Sequence, residues 1–310
     1  MAEPFQQMAF RDVPELPRLP HPYFDTPFET VRVDSAHFGP MDAHVRITGS
    51  GPPLLLVHGF MTSSYSWRYV IERLSQQFTL YVPDLPGAGR SDKPDVSYHP
   101  DALADWIGEL MDALGITGCR VIGNSMGGYL AMRLALRRPN AMSRLVNLHS
   151  PGLVTGRMRA LKVGMTIPFS FRIVKALVHF NPELWVFKNV HYFDESLKSR
   201  QETREYAAAL SSNEGVRAFA HMLNETLTPA TLREFEATLT SRHQSGQSFP
   251  IPLQLIYAER DPMVPPTVGR RLYALLPDAD WVELQDASHF AHVDNPDAFL
   301  PPALRFLAGS

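Results

Sequence analysis

Short apolar runs alternate with longer amphipathic stretches along most of this chain, and that alternation predicts its fold class. Eight segments read as strands: Glu29–Val33, Met41–Ile47, Leu54–Val57, Thr79–Pro83, a run opening at Cys119, Arg144–Leu148, Leu253–Tyr257 and Asp280–Leu284. Leu54-Leu55-Leu56-Val57 has no polar interruption, as expected of a strand covered on both faces. Helical patterns fall between the strands at about Tyr65–Leu74, Ala102–Leu114, from Met126 onward, Pro266–Leu276 and Pro296–Leu307. Gly115 suits the stop of the second of these. Strands separated by helices at this spacing predict an α/β fold, a mostly parallel sheet flanked by helices.

The alternation breaks at Ser150-Pro151-Gly152 and resumes at Pro250. Between them the pattern is helical at Phe169–Phe180, Pro182–Lys188, Leu197–Leu210, Val216–Asn224 and Ala230–Ser241. This predicts a helical cap, or lid, at 151–249, inserted into a core made of 29–150 and 250–310. Residues 1–28 carry Pro4, Pro14, Pro17, Pro20, Pro22 and Pro27, a density that excludes regular helix or central strand. They predict an extended arm, packed on the body or tethered to it.

The run from Cys119 leads into Gly123-Asn124-Ser125-Met126-Gly127-Gly128, a serine with glycines two before and two after. On a sharp strand-to-helix turn the hydroxyl is lifted clear of the chain, and Gly123 and Gly127 relieve the crowding this causes. The following helix aims its free N–H groups at the same point, so the Met126 N–H is a candidate oxyanion donor. A serine hydroxyl needs a base, and the base an orienting acid. Asp261 follows the strand at 253–257 and His289 follows the last strand, giving the chain order Ser125…Asp261…His289. Glu259 is the second choice of acid and His292 the second choice of base. His289 and Asp294 also match a His-x4-Asp acyltransferase pattern, and His289 with His292 a metal pair. Two histidines without a third ligand make a poor metal site, and Asp294 reads better as a helix cap before Pro296. The second oxyanion donor is placed at the Phe60 N–H, in His58-Gly59-Phe60 after the strand at 54–57, with His58 holding the turn. No cofactor and no metal is called for: Gly87-Ala88-Gly89 is not a dinucleotide loop, because position 92 is Asp92.

Composition narrows the partners. The chain has 310 residues, 45% of them hydrophobic, with 29 basic and 32 acidic side chains for a net charge of −3. That balance offers nothing to nucleic acid. Cys119 is the only cysteine, which excludes an intramolecular disulfide and fits a reducing compartment; on a buried strand it reads as a packing residue. Glu3, Arg11, Asp12 and Glu15 stand where a secretory signal needs an apolar stretch, and no transmembrane run of 18 apolar residues exists. The expectation is a cytoplasmic protein acting on a small, apolar acyl substrate, with its oligomeric state open.

His58-Gly59-Phe60, Asp84-Leu85-Pro86-Gly87-Ala88-Gly89-Arg90-Ser91-Asp92, Gly123-Asn124-Ser125-Met126-Gly127-Gly128, Asp261-Pro262 and Ser288-His289…Asn295-Pro296 together resemble the α/β-hydrolase superfamily over residues 29–310. The resemblance implies the α/β-hydrolase fold and a hydrolase, a serine esterase above all. The loop at 84–94 is similar to that of epoxide hydrolases and haloalkane dehalogenases, which carry an aspartate where this chain has Ser125. Tyr192 and Tyr206 resemble the cap tyrosines of epoxide hydrolases, but without that aspartate no such role is carried over. Gly-Asn-Ser-Met-Gly-Gly also resembles hydrolases of meta-cleavage products, which break carbon–carbon bonds and usually carry tryptophan where Phe290 stands. A cofactor-free haloperoxidase or perhydrolase and a non-enzymatic ligand receptor are the other classes compatible with the fold. The stretch 151–180 has Arg157, Arg159, Lys162, Arg172 and Lys175 without an acidic residue, interleaved with Met165, Ile167, Phe169, Phe171, Ile173 and Val174. It reads as a lid helix with a solvated basic face, or as a surface for anionic apolar substrates or a membrane interface.

Overall fold

A computed structural model describes residues 4–154 and 170–309. All eight strands form: β1 (Phe28–Ser35), β2 (Gly39–Thr48), β3 (Pro53–Val57), β4 (Thr79–Pro83), β5 (Cys119–Asn124), β6 (Met142–Leu148), β7 (Leu253–Ala258) and β8 (Asp280–Leu284). They make one sheet in the order β1-β2-β4-β3-β5-β6-β7-β8. β1 pairs antiparallel with β2 and β2 antiparallel with β4; every other pairing is parallel.

The apolar run of β3 sits near the middle of this sheet and is covered on both sides. Leu55 and Val57 belong to one core cluster with Val121, Leu130 and Trp106, whereas Leu54 and Leu56 belong to the other with Ile122, Trp67 and Phe299. Alternation along one strand thus feeds two cores, one under each layer of helices.

The helices are α1 (Ile71–Ser75), α2 (Pro100–Ala113), α3 (Met126–Arg137), α4 (Ser170–Phe180), α5 (Pro182–Asn189), α6 (Arg200–Ala207), α7 (Asn213–Glu225), α8 (Pro229–Gln244), α9 (Pro266–Ala274), α10 (Ala291–Asp294) and α11 (Pro296–Ala308). Two of the expected helices are broken. The pattern at 65–74 becomes a 3-10 turn, Ser64–Trp67, followed by α1. The Ser63 hydroxyl accepts the Tyr65 N–H, and the Asp84 carboxylate takes the Ser64 N–H at 2.7 Å, so the turn is fixed from outside. The pattern at 197–210 is interrupted at Ser199, whose hydroxyl caps a new helix by accepting the Glu202 N–H at 3.1 Å.

Among the described residues, those between β6 and β7 contribute helices and no strand. The calls at Arg157, Arg159, Lys162, Met165, Ile167 and Phe169 lie outside the described residues. No described helix is long and apolar enough to cross a membrane.

The proline-rich arm is packed, not trailing. Its strap runs over residues 187–204: the Arg200 and Gln201 N–H groups donate to the carbonyls of Pro14 and Glu15 at 2.8 and 3.0 Å. The Arg200 guanidinium lies 3.8 Å over the Phe10 ring, Phe10 packs on Phe187, and Arg18 pairs with Asp194 at 2.9 Å.

Candidate active site

In an open parallel sheet the carboxyl ends of the strands share one edge, and ligands collect there. Five segments leave that edge side by side here. His58-Gly59-Phe60 follows β3, Ser125 follows β5 and His149 follows β6; Asp261 and His289 come from the loops after β7 and β8. Register keeps them together, since Val57 pairs with Gly123 and Asn124 with Leu148.

Ser125 sits at φ 53° and ψ −119°, a backbone conformation L-residues rarely adopt, between the end of β5 and the first turn of α3. Its N–H is tied to the Leu148 carbonyl at 2.7 Å and its carbonyl accepts the Tyr129 N–H at 3.1 Å. The turn is as crowded as the sequence predicts. A Cβ on Gly127 would lie 2.3 Å from the Val57 carbonyl oxygen, and one on Gly123 would lie 2.6 Å from the Gly128 Cα. Gly59 presses against the same point, since a Cβ there would stand 3.1 Å from the Ser125 Cβ. Met126 opens α3, so its N–H has no partner within the helix. His58 is buried and braces the turn. Its Nε2 accepts the Leu85 N–H at 3.0 Å and its Nδ1 donates to the Gly59 carbonyl at 2.8 Å.

Asp261 and His289 are both buried and joined, Nδ1 to Oδ2, at 2.7 Å. The other carboxylate oxygen accepts the N–H groups of Met263 and Val264 at 2.7 and 2.8 Å. Burial alone would raise the Asp261 pKa. The His289 charge and hydrogen bond, His149 and the Val264 N–H outweigh it and hold the carboxyl below its ordinary value. An ionised Asp261 requires the His289 proton on Nδ1, which leaves Nε2 with a lone pair. Glu259, the second choice of acid, is exposed.

The loop carrying His289 is fastened from three sides. The Asn124 amide, next to Ser125 in the chain, donates to the His289 carbonyl at 3.1 Å. His292 makes no hydrogen bond through either ring nitrogen; it is buried against Trp67, ring centroids 4.4 Å apart, and burial pushes its pKa well below the ordinary value. Asp294 does not cap the last helix, contrary to the sequence reading. Asn295 does so by accepting the Ala298 N–H at 3.1 Å, while Asp294 accepts the N–H groups of Ser288 and Phe193 at 2.8 and 2.9 Å. The Asp294 carboxylate thus ties the residue before His289 to the segment between α5 and α6, a role no local spacing reveals.

Burial raises the Asp294 pKa to about 7 against the pull of these donors. Raised in the folded state, this pKa makes a contribution to stability that is complete below the ordinary carboxylate range and lost as pH climbs through 7. The melting temperature of the wild-type protein relative to Asp294→Asn is expected to fall between pH 5 and pH 8. A difference that stays constant or shifts in favour of the wild type would refute the assignment.

His149, which follows β6, was not among the residues nominated from the sequence. His149 is fully buried at φ 55°, and the ligating atoms of His149, Asp261 and His289 all lie within 4.8 Å of one another. Tyr192 and Tyr206 are both buried beside the Arg68–Glu202 ion pair, and the Tyr206 hydroxyl accepts from Arg68 at 3.3 Å. Cys119 is buried and its thiol is pushed up to about 12, as befits a packing residue.

Comparison with known proteins supplies the family. The family model for the alpha/beta hydrolase fold matches residues 52–296. Haloalkane dehalogenase 2 of Mycobacterium tuberculosis is 30% identical over 278 residues, 87% of this chain and 92% of its own. The structure of epoxide hydrolase CorEH superposes with a TM-score of 0.74 at 23% identity, over 91% of this chain and 99% of that one. A thermophilic esterase from Thermogutta terrifontis superposes with a TM-score of 0.71 at 19% identity, over 91% and 98%. With a turn-borne serine at the sheet edge, a family model spanning most of the sequence and a relative matched along nearly its whole length, the chain belongs to the alpha/beta hydrolase fold family.

Proposed function

We propose that this hydrolase is a serine esterase working through an acyl-enzyme on Ser125, His289 and Asp261. The observation that carries the reading is the pairing of a strained, turn-borne Ser125 with a buried His289–Asp261 couple whose backbone is gripped by the neighbouring Asn124. His289 Nε2 takes the Ser125 proton as Oγ attacks the substrate carbonyl. The oxyanion rests on the Phe60 and Met126 N–H groups. His289 then protonates the leaving alcohol, and afterwards takes a proton from the water that releases the acid. Asp261 keeps the imidazole in the required tautomer and stabilises its charged form.

Residues 151–249 act in this reading as the cap that selects the substrate. Phe219 of α7 stacks on Phe60 at 5.2 Å with the rings 12° apart, and Trp185 of α5 packs edge-on against Phe219. Half-buried Phe60, Met61, Trp185 and Leu223 join the same apolar cluster. An apolar acyl group suits such walls.

The test is a panel of p-nitrophenyl esters of increasing acyl length, with a meta-cleavage dienoate beside it. Hydrolysis of the esters, rising with chain length before it falls, is expected. Turnover of the dienoate alone would replace the ester reading with carbon–carbon hydrolysis, and turnover of neither would remove both.

A further inference from the structure

His149 is chemically the least explained residue at the sheet edge. It is a buried imidazole on a left-handed backbone, and the mechanism above does not use it. Its position is fixed on both sides of the ring. The His149 N–H donates to the Ile256 carbonyl at 2.9 Å, and the Ala258 N–H donates to His149 Nε2 at 2.8 Å. An accepting Nε2 puts the proton of the neutral ring on Nδ1. That N–H has no hydrogen-bond partner within ordinary distance, although it is buried. The groups around it are the Asp261 carboxylate, the His289 backbone and ring, the two imidazoles being 5.7 Å apart at a tilt of 37°, and the buried, neutral His292 ring. Tyr257 closes the remaining side edge-on at 6.0 Å, with its hydroxyl donating to the Ser150 carbonyl. Buried donors are rarely left unpaired without a reason, and rare backbone conformations persist where the surroundings enforce them.

We propose that His149 is a positioning residue for the general base: a neutral N–H dipole lodged behind the Asp261–His289 pair that offsets part of the negative charge of Asp261 and so sets how firmly Asp261 holds the imidazole. The proposal rests on the acyl-enzyme reading. Burial presses the His149 pKa down to about 3, so the ring stays neutral while His289 cycles through its charged form. A second imidazolium at this distance would oppose that step; a neutral donor does not. The Asn124 amide on the His289 carbonyl supports the imidazole from its backbone side, while Asp261 supports the ring.

The test uses the rate of Ser125 labelling by a fluorophosphonate as a function of pH, which needs no knowledge of the substrate. His149→Asn keeps an N–H donor where Nδ1 lies, and asparagine accepts left-handed backbone. His149→Ala removes the donor. The Asn variant is expected to label within about threefold of wild type along the same pH profile. The Ala variant is expected to label at about a tenth of the wild-type rate or less. Its acid limb should move upward by about half a pH unit, because Asp261 then holds the His289 proton more firmly. Wild-type behaviour of His149→Ala overturns the proposal, as does a folded His149→Asn as slow as His149→Ala. If the Ala variant does not fold, slow labelling by folded His149→Asn still overturns it and wild-type labelling still supports it. Failure of the wild-type protein itself to label would instead remove the serine mechanism beneath the proposal.

Discussion

Ser125→Ala is expected to lower ester turnover by on the order of 10⁵–10⁶ and to abolish labelling by a fluorophosphonate, while leaving the fold intact. The size follows from what is removed. In the proposed mechanism every covalent step passes through the Ser125 oxygen, and His289 and Asp261 have no other nucleophile to activate. The fold should survive because alanine keeps the same Cβ, so the strain at φ 53° is unchanged. The backbone bonds that hold the turn, Ser125 N–H to Leu148 and Tyr129 N–H to Ser125, involve no side chain. A matching melting temperature with no turnover is the expected pair of results. Full labelling of the variant would place the nucleophile elsewhere.

The second large effect is one of stability. Arg68, just past the turn that follows Phe60, forms an ion pair with Glu202 of α6, and both side chains are sealed from solvent. Burial raises the Glu202 carboxyl above its ordinary value, and the charge of Arg68 opposes that rise. Tyr65 joins the two sides as well, its hydroxyl donating to Gln201 at 3.1 Å. Glu202→Ala leaves a guanidinium buried without its anion, so a loss of about 3–5 kcal/mol is expected. The double variant Arg68→Met, Glu202→Met removes both charges and keeps the volume, and should recover most of that loss. Chemical denaturation of the two variants separates the cases. If the double variant is as unstable as Glu202→Ala, the pair contributes through packing and not through charge.

Local pattern carried much of the fold. The eight strands were legible as short apolar or alternating runs between turn residues, and the serine turn because two glycines flank the serine at fixed spacing. Asp261, His289 and Phe60 were nominated from strand ends; of these, Asp261 and His289 meet as a buried pair, and Gly59, next to Phe60, lies against Ser125. What escaped depends on partners far along the chain. Ser199 starts a helix at Arg200 that periodicity begins at Leu197. Asp294 abandons the helix beside it for Ser288 and Phe193, across 101 residues in the second case. His149 was not nominated; only its nearness to Asp261 gives it chemistry. The Arg68–Glu202 pair spans 134 residues, and neither residue stands out in its own neighbourhood.

The strap formed by the first two dozen residues has a consequence for how the protein is made. Its partners, from Phe187 to Arg204, lie as much as 189 positions downstream. The strap leaves the ribosome well before the residues it docks on. Until then Phe5 and Phe10 remain without Phe193 and Phe187, the rings they pack on. In a chain synthesised at roughly 5–20 residues per second, that interval lasts on the order of ten seconds or more. The strap is thus made long before its landing surface, and the helices beneath it are fastened from outside only after both have been synthesised.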